Sequence, residues 1–346
     1  ITIRAGLNRV FGHLSEAFQW EHFLDYGLDA FFIGRAVRAD NQVEHAVPAS
    51  SVWIQDTYNP PFSGKLKLPS GYRSVASYTR RSYRNAMLYV ETKFLNPPQL
   101  GTETYLYIGL EHGANMFNGL LSFVFVPGPR LQIWAIQRPH AFIVETSNIY
   151  TPDNAIHAFK IWHGRYFTAF LIDDTPIAFV VKTGLGRIIA GNTKPYAVIS
   201  LPNLPESFTA FLELYTNRTS GGEVVVDAPS PYWFRVSEGY ETHTMNIPLY
   251  PQNSGTPIAG STISGTVVSH PFPMAPGRSY MIWRSTGSGT LYLQVFGRGA
   301  LYTAAKIVNY GANTDYYIDL PPGTLGRVVI EAQTSQTVER AEVVIL

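Results

Sequence analysis

The spacing of the carboxylates in this sequence is the most direct indication of whether the chain could cleave bonds. Hydrolysis of a glycosidic bond needs two of them, about 5 to 5.5 Å apart for retention or about 6.5 to 9.5 Å for inversion. Glu223 and Asp227 form the nearest pair on one face of a predicted strand, and four residues at about 3.3 Å each place them roughly 13 Å apart. We interpret both as edge or turn residues. Glu213 lies alone between apolar neighbours, where the solvated face of a half-buried strand is favoured, unless a carboxylate from another strand joins it.

Other catalytic and metal-binding groups are scattered along the chain. Cys is absent, which excludes disulfides, thiolate nucleophiles, Cys-ligated zinc and iron–sulfur clusters. Gly287-Ser288-Gly289 lies between two β runs, whereas a serine nucleophile elbow must follow a strand and open a helix. Asp173 and Asp174 are candidate calcium ligands, although a tight turn also favours Asp at these positions. No other cofactor is predicted.

Composition limits the classes of partner. Charged residues are 15% of the 346 residues, aromatic residues are 14%, and the formal net charge is +1. This balance provides no general basic field for nucleic acid, so we interpret the Arg- and Tyr-rich run at 72–84 as a site for carboxylates or a neighbouring subunit. No apolar stretch is long enough to span a membrane as a helix. Many tyrosines with few charges are also typical of buried interfaces, which favours self-association or other subunits of an assembly as partners, although large cores alone would explain them equally well.

The hydrophobic pattern predicts an all-β protein with one short helix. Large apolar side chains recur with a helical period at 14–26, and Gly27 follows them. Beyond this, short Val-, Ile-, Tyr- and Thr-rich runs alternate with Pro, Gly and Asn at intervals near ten residues. Pro, Gly, Ser and Asn crowd together at 237–261. The predicted division is therefore an N-terminal segment at 1–45, a large β-sandwich at 46–238 and a smaller β-sandwich at 239–346.

Three pairs of segments carry the pattern of a known fold, namely His157–Trp162 with 166–178, 105–110 with 119–123, and 224–227 with 232–236. On these segments, residues 46–236 resemble the concanavalin A-like jelly roll shared by legume lectins, LamG modules and family 16 glucanases. Asp174 and Thr175 stand where that fold usually has Asp-Gly or Asn-Gly. The Glu-x-Asp-x-x-Glu strand of the glucanases is missing from this sequence.

A sugar-binding site is implied by this resemblance, since jelly rolls of this type bind carbohydrate on a sheet or at loop ends. Aromatic rings would cover a pyranose there, and carboxylates or amides would take its hydroxyl groups. The candidates are Trp134, Tyr150, Trp162 and Asp174, and Trp162 is also a candidate core residue.

These features favour a non-catalytic structural or adhesive protein of an external assembly over an enzyme. A virion capsid, tail or decoration component or a cell-surface filament would fit, with an extracellular or virion-surface location and glycans as possible ligands. The alternative is a glycoside hydrolase or polysaccharide lyase with an atypical carboxylate arrangement. Residues 239–346 offer few titratable groups on their predicted strands, so association is their expected role. Their last run, 341–346, is an apolar strand that needs a covering partner, either from this chain's own sheet or from a neighbouring subunit.

Overall fold

A computed structural model of the chain describes most residues from Phe32 to Ile345. The described ranges are 32–38, 43–47, 53–54, 63–79, 82–84, 88–95, 100–113, 118–184, 186–217, 223–229, 235–238, 243–252, 254, 256, 258, 260–275, 279–297, 300–320 and 324–345. All regular elements within these ranges are β-strands, which confirms the all-β prediction. The helix predicted at 14–26 lies outside the described residues. No described helix has the length and apolar character to cross a membrane.

Nineteen of the described strands build the first sandwich. In chain order they are β1 Phe32–Arg38, β2 Val43–Val47, β3 Trp53–Ile54, β4 Ser63–Leu68, β5 Tyr72–Thr79, β6 Tyr83–Arg84, β7 Leu88–Leu95, β8 Thr104–Glu111, β9 Leu120–Val126, β10 Arg130–Gln137, β11 His140–Glu145, β12 Ile156–His163, β13 Phe167–Ile172, β14 Thr175–Val181, β15 Arg187–Ala190, β16 Ala197–Ser200, β17 Ser207–Thr216, β18 Val224–Pro229 and β19 Arg235–Glu238.

Three sheets form from these strands in the described part of the chain. Sheet I has the order β11-β10-β9-β8-β17-β5-β1-β2, with β6 also paired to β17. Sheet II has the order β15-β16-β14-β13-β12-β7-β19, and sheet III the order β18-β4-β3. The β14–β16 pair is parallel. Because β1 and most of β2 precede residue 46, the first sandwich begins earlier than the predicted boundary.

The main core lies between sheets I and II because alternate residues of their strands point inward. In β8, Leu106, Ile108 and Leu110 are buried in this core. Phe123 of sheet I meets Phe159 and Phe170 of sheet II edge to face, with ring centroids 5.5 and 5.1 Å apart. Each such pair adds about 0.5 to 1.5 kcal/mol beyond the burial of its area. Residues of opposite parity in sheet I point away from sheet II, and this second set forms the outer face of sheet I.

The second sandwich contains the remaining described strands. They are β20 His243–Asn246, β21 Leu249–Pro251, β22 Thr262–Ser269, β23 Phe272–Pro273, β24 Ser279–Ser285, β25 Gly289–Gly297, β26 Ala300–Tyr310, β27 Tyr316–Asp319 and β28 Leu325–Ile345. The sequence predicted two separate strands at 327–332 and 341–346, and the structure joins them in β28.

The long strand β28 belongs to both layers of the second sandwich. Its first half pairs with β22 and β25, and its second half pairs with β20 and β24. A strand that passes from one sheet to the other in this way closes the corner of a sandwich. Val343 lies between Met245 and Met281. The run predicted to need a covering partner is therefore covered on both sides by this chain's own strands.

The second sandwich packs against the outer face of sheet II. A single buried apolar cluster combines Trp162, Phe179 and Tyr196 of that region with Phe272 and Met274 of the second sandwich. Hydrogen bonds cross the same junction: His270 Nε2 donates to the Tyr196 carbonyl at 2.9 Å. The outer face of sheet II is thus an internal interface of the chain.

Candidate active site

The outer face of sheet I brings one carboxylate into a row of aromatic side chains. Glu213 of β17 is directly opposite Tyr107 of β8. On either side along the two strands, Phe211 is opposite Gly109 and Tyr215 is opposite Tyr105. Strand alternation therefore places all of these residues on one face.

Ring contacts connect this set across the sheet. Tyr107 and Trp134 of β10 meet edge to face at 5.5 Å. Tyr105 lies 6.5 Å from Tyr107 and 6.2 Å from Tyr215. Tyr78 of β5 stacks on Phe211 at 5.9 Å. We call this set the aromatic face. It consists of Glu213 and seven residues on the same side of sheet I, namely Tyr78, Tyr105, Tyr107, Gly109, Trp134, Phe211 and Tyr215.

Burial differs between the residues of the aromatic face. Glu213 is 7% exposed and Tyr107 is 5% exposed. Tyr105, Trp134 and Tyr215 are only partly buried and pack around them. The carboxylate therefore lies beneath aromatic rings that retain contact with solvent.

Neighbouring polar side chains hold Trp134 in place. Its indole N–H donates to Gln132 Oε1 at 2.8 Å, and Gln132 Nε2 donates to Glu145 Oε1 at 2.5 Å. Arg130 in turn donates to the same carboxylate oxygen at 3.3 Å. This chain of hydrogen bonds fixes the plane of the indole, which is the property that stacking on a sugar ring requires.

Small residues separate Phe211 from Trp134 on this face. Gly109 and Ser122 occupy the two positions between them in register. A Cβ atom at Gly109 would lie 2.3 Å from the Leu121 carbonyl oxygen and 2.7 Å from Ser122 Cα, so only glycine allows β9 to approach this closely. The hydroxyl of Ser122 donates to the backbone carbonyl of Ile108 at 3.0 Å.

Tyr107 is held in its protonated form. Burial raises the pKa of its phenol well above the usual value, and the charges of Glu213, Tyr215 and Tyr105 raise it further. Its O–H group is therefore a hydrogen-bond donor beside the Glu213 carboxylate, and it does not act as a base at neutral pH.

Two other described carboxylates on this face, Glu111 and Glu145, lie far from Glu213. Glu111 is one strand and four positions away, or roughly 14 Å at about 4.8 Å per strand and 3.4 Å per residue. Glu145 lies in the same row four strands away, or roughly 19 Å. Both separations exceed the windows for retaining and inverting pairs.

Trp134 is the one of the four predicted sugar-binding residues that the structure places on the aromatic face. Trp162 is 2% exposed and lies edge to face with Phe167 at 5.2 Å in the cluster below the second sandwich. The interpretation of Trp162 as a sugar platform is therefore corrected, because its ring is an interface core residue with no open face for a ligand.

Tyr150 and the two aspartates surround a different feature, at the β13–β14 turn. Tyr150 lies edge to face with His157 at 5.9 Å. Asp173 contacts His157 Nδ1 and accepts the Ala158 N–H at 2.8 Å. Asp174 pairs with Lys160 at 2.8 Å. These residues are separate from the aromatic face.

The two aspartates of the turn stabilise the β13–β14 hairpin. Asp173 and Asp174 adopt φ values of 48° and 61°, the left-handed conformation of a tight hairpin turn that Asp tolerates. In the described part of the chain, no group of three or more His, Cys, Asp and Glu residues has a metal-binding arrangement. With their oxygens directed to Ala158, His157 and Lys160, Asp173 and Asp174 do not fit a calcium site.

The sequence pattern alone does not identify most residues of the aromatic face as site residues. The sequence pattern predicts that Glu213 lies on a solvated strand face, and the structure buries it instead. The usable signal was the aromatic spacing: Tyr105 and Tyr107 share one face of their strand, and Tyr215 follows Glu213 by two positions. The pairing of β8 with β17 brings these two short patterns together.

No protein-family model matches the sequence, and neither does any curated protein. Solved structures match part of it. The β-glucanase of Bacillus licheniformis is 12% identical, with a TM-score of 0.36, over 61% of this chain and 98% of its own. The catalytic domain of an endo-1,3-β-glucanase (laminarinase) from Thermotoga petrophila is 13% identical, with a TM-score of 0.33, over 61% and 78%. A pseudo β-1,3-glucanase of Mycobacterium tuberculosis is 12% identical, with a TM-score of 0.36, over 51% and 75%.

The first sandwich is a concanavalin-like jelly roll. The expectation of a non-catalytic structural or adhesive protein, with its preference for a non-enzyme, is contradicted by these matches: they are glucanases and related glycoside hydrolases, together with one pseudo β-1,3-glucanase. They agree better with the alternative, a glycoside hydrolase. They give no support to a virion component or a homo-oligomer. Likeness at this level of identity shows the fold alone, so an activity has to be argued from the chain's own residues.

Proposed function

We propose that this protein is a glycoside hydrolase that binds its glycan across the aromatic face, with Glu213 as the proton donor. The observation that carries the proposal is a buried carboxyl group surrounded by aromatic rings on one sheet face. Aromatic rings stack on the apolar faces of pyranoses. A carboxyl group among such rings is a common arrangement of the general acid in glycoside hydrolysis.

The proposed chemistry gives each residue a separate task. Glu213 transfers its proton to the glycosidic oxygen as the bond to the anomeric carbon breaks. Water then supplies the hydroxyl group of the new reducing end, and the other proton of that water returns Glu213 to its protonated form. Trp134 stacks on one sugar ring, held by Gln132. Tyr107 donates a hydrogen bond beside the reacting oxygen. Glu111 and Glu145 lie too far from Glu213 to complete an acid–base pair, so the proposal assigns them no catalytic role.

The replacement Glu213→Gln tests this assignment. It keeps the size of the side chain and removes the proton, so the rate of reducing-end release should fall by about 10³-fold or more, while the affinity for the glycan changes little. The rate is measured on a panel of polysaccharide substrates. The panel begins with β-1,3-glucan, because two of the similar structures are described as a β-1,3-glucanase or pseudo β-1,3-glucanase, and it extends to other neutral polysaccharides.

Glu206→Gln is the matched control, because it removes the same charge from an exposed side chain away from the aromatic face. It should retain the wild-type rate. Wild-type turnover by Glu213→Gln would reject Glu213 as the proton donor. A folded wild-type protein that cleaves none of the panel would reject the hydrolase itself.

A further inference from the structure

A second concave site lies where the jelly roll meets the second sandwich, and the aromatic face does not include any of its residues. The cavity has a volume of about 730 Å³, within the usual range for small-molecule sites. The jelly roll contributes Asn148, Asn192 and Lys194, and the second sandwich contributes Tyr250, Gln252 and Arg327. We call it the junction cavity.

Two cations, with no carboxylate among the described lining residues, define the charge of the junction cavity. Lys194 and Arg327 line it, and no Asp or Glu is among the described residues that do so. Arg327 Nε donates to Gln294 Oε1 at 2.9 Å, which orients the guanidinium group without neutralising it. Burial lowers the pKa of Arg327 from its usual value, as expected for a partly desolvated cation that lacks a carboxylate partner. An anionic group on a ligand would supply that missing charge.

The walls of the cavity are held in fixed positions by contacts within the chain. Asn192 Oδ1 accepts the Asn148 N–H at 2.8 Å, and the Asn192 amide donates to Ser147 Oγ at 3.0 Å. Across the cavity, the Tyr250 hydroxyl donates to the Lys194 carbonyl at 2.6 Å. This last bond joins the two sandwiches directly, so the site is formed by the junction and exists before a ligand arrives.

The remaining lining chemistry suits a sugar better than a simple anion. Tyr250 is half-buried, and its ring packs at 5.9 Å from His270, which offers a fixed aromatic surface. The backbone N–H of Gln252 donates to the Thr266 carbonyl, and its side-chain amide makes no hydrogen bond to another described residue, so the side chain is available for hydroxyl groups of a ligand. An aromatic ring, amides and cations in one cavity are the groups that recognise a saccharide with an acidic substituent.

From this arrangement we propose that the junction cavity binds a short acidic oligosaccharide, with Arg327 and Lys194 on its carboxylate or sulfate group. The site is independent of Glu213 and of the proposed hydrolysis. It would let the chain hold an acidic glycan at the junction of its two sandwiches, separate from the glycan on the aromatic face.

Calorimetric titration of the full chain tests the proposal with three probes. They are tri-galacturonate, the same trisaccharide with its carboxyl groups reduced to alcohols, and a sulfated trisaccharide of equal length. Tri-galacturonate should bind at least tenfold more tightly than its reduced form. Tighter binding of the sulfated sugar would identify sulfate esters as the source of the anionic group. Equal binding of the reduced form would overturn the proposal, as would displacement of the sugar by inorganic sulfate at the same affinity.

Variants then locate the binding. Arg327→Gln and Lys194→Gln should each weaken binding of the acidic sugar about tenfold or more, while Lys306→Gln, which removes a charge from an exposed position of β26, leaves the affinity unchanged. Lys194 is exposed, so its variant keeps the test informative if Arg327→Gln lowers the melting temperature. Wild-type affinity in both cavity variants would overturn the assignment. Glu213→Gln should bind the acidic sugar normally, which separates failure here from failure of the proposed hydrolase.

Discussion

The outer face of sheet I and the outer face of sheet II both carry tryptophan and tyrosine, but they differ in charge and in what covers them. Both carboxylates that are buried in the described part of the chain, Glu111 and Glu213, lie on the sheet I face. The sheet II face instead joins Trp162 and Tyr196 to the apolar side chains of the second sandwich. A buried carboxyl group must be hydrogen-bonded, paired with a cation or kept protonated, because its desolvation is costly, whereas an apolar face needs only a complementary surface. This contrast separates the candidate active face from the interface.

The largest expected effect comes from exchanging the two tryptophans for alanine. Trp162→Ala should lower the free energy of unfolding by about 3 to 5 kcal/mol, because it leaves a cavity in the core that joins the two sandwiches. Trp134→Ala should lower it by less than about 1.5 kcal/mol, because part of that ring is exposed, yet it should weaken glycan binding about tenfold. Urea unfolding and glycan titration measure the two quantities.

Phe296→Ala serves as the control for apolar loss at a partly buried position of the second sandwich. It should be less destabilising than Trp162→Ala and should leave glycan binding unchanged. If Trp134→Ala lowers the free energy of unfolding as much as Trp162→Ala does, then the outer face of sheet I is as closely covered as that of sheet II, contrary to this comparison.

Acid should lower the free energy of unfolding through His270, which lies at the interface between the two sandwiches. Burial lowers the pKa of His270, and its hydrogen bond to the Tyr196 carbonyl only partly opposes this. The unfolded chain therefore takes up the proton first, near pH 6.5. The contribution of neutral His270 to stability is fully present above that pH and is lost as the pH falls, by at most about 1.4 kcal/mol per pH unit.

His270→Gln keeps a side-chain donor for the Tyr196 carbonyl and removes the titration. Its stability should fall less steeply between pH 7 and pH 5 than that of the wild type. His163, which is buried and whose pKa is also lowered, titrates in both proteins, so the difference between them isolates His270. Identical pH profiles would show that the interface does not depend on neutral His270.

The smallest expected effects come from replacing two buried tyrosines by phenylalanine, which removes only their hydroxyl groups. The Tyr196 hydroxyl is buried without a hydrogen-bond partner among the described residues, so Tyr196→Phe should leave stability unchanged or raise it by up to about 1 kcal/mol. Tyr107→Phe keeps the ring contact with Trp134 and should slow hydrolysis roughly threefold to tenfold. Equal rates for the two variants would remove Tyr107 from the proposed site.

Local patterns were sufficient to predict the strands and the jelly roll, since alternation and turn residues act over a few positions. The predicted strand at 120–126 has the same limits as β9. The pattern could not distinguish Trp134 from Trp162, because both alternate with apolar neighbours, and only the placement of the second sandwich decides which ring is covered. Glu213 was misread for the same reason: its burial depends on β5 and β8, which lie far away in the sequence.

The join at β28 was also beyond local reasoning. Residues 333–340 are mostly polar, which suggested a connection between two strands, but they contain no Gly or Pro to interrupt one. Their pairing with β22 and β24 keeps the chain extended through the corner. Self-association and an extracellular location remain predictions, because neither depends on contacts within one chain.

The position of β28 has a consequence for how the protein is made. Five described strands of the second sandwich pair with β28, yet β28 follows all of them in the chain. During synthesis the jelly roll can therefore assemble well before its neighbour, and β28 is the last of the described strands of the second sandwich to leave the ribosome. Until then, the rings of Trp162 and Phe179 on sheet II remain uncovered, which makes this interval the time at which the nascent chain is most exposed to aggregation and most dependent on chaperones.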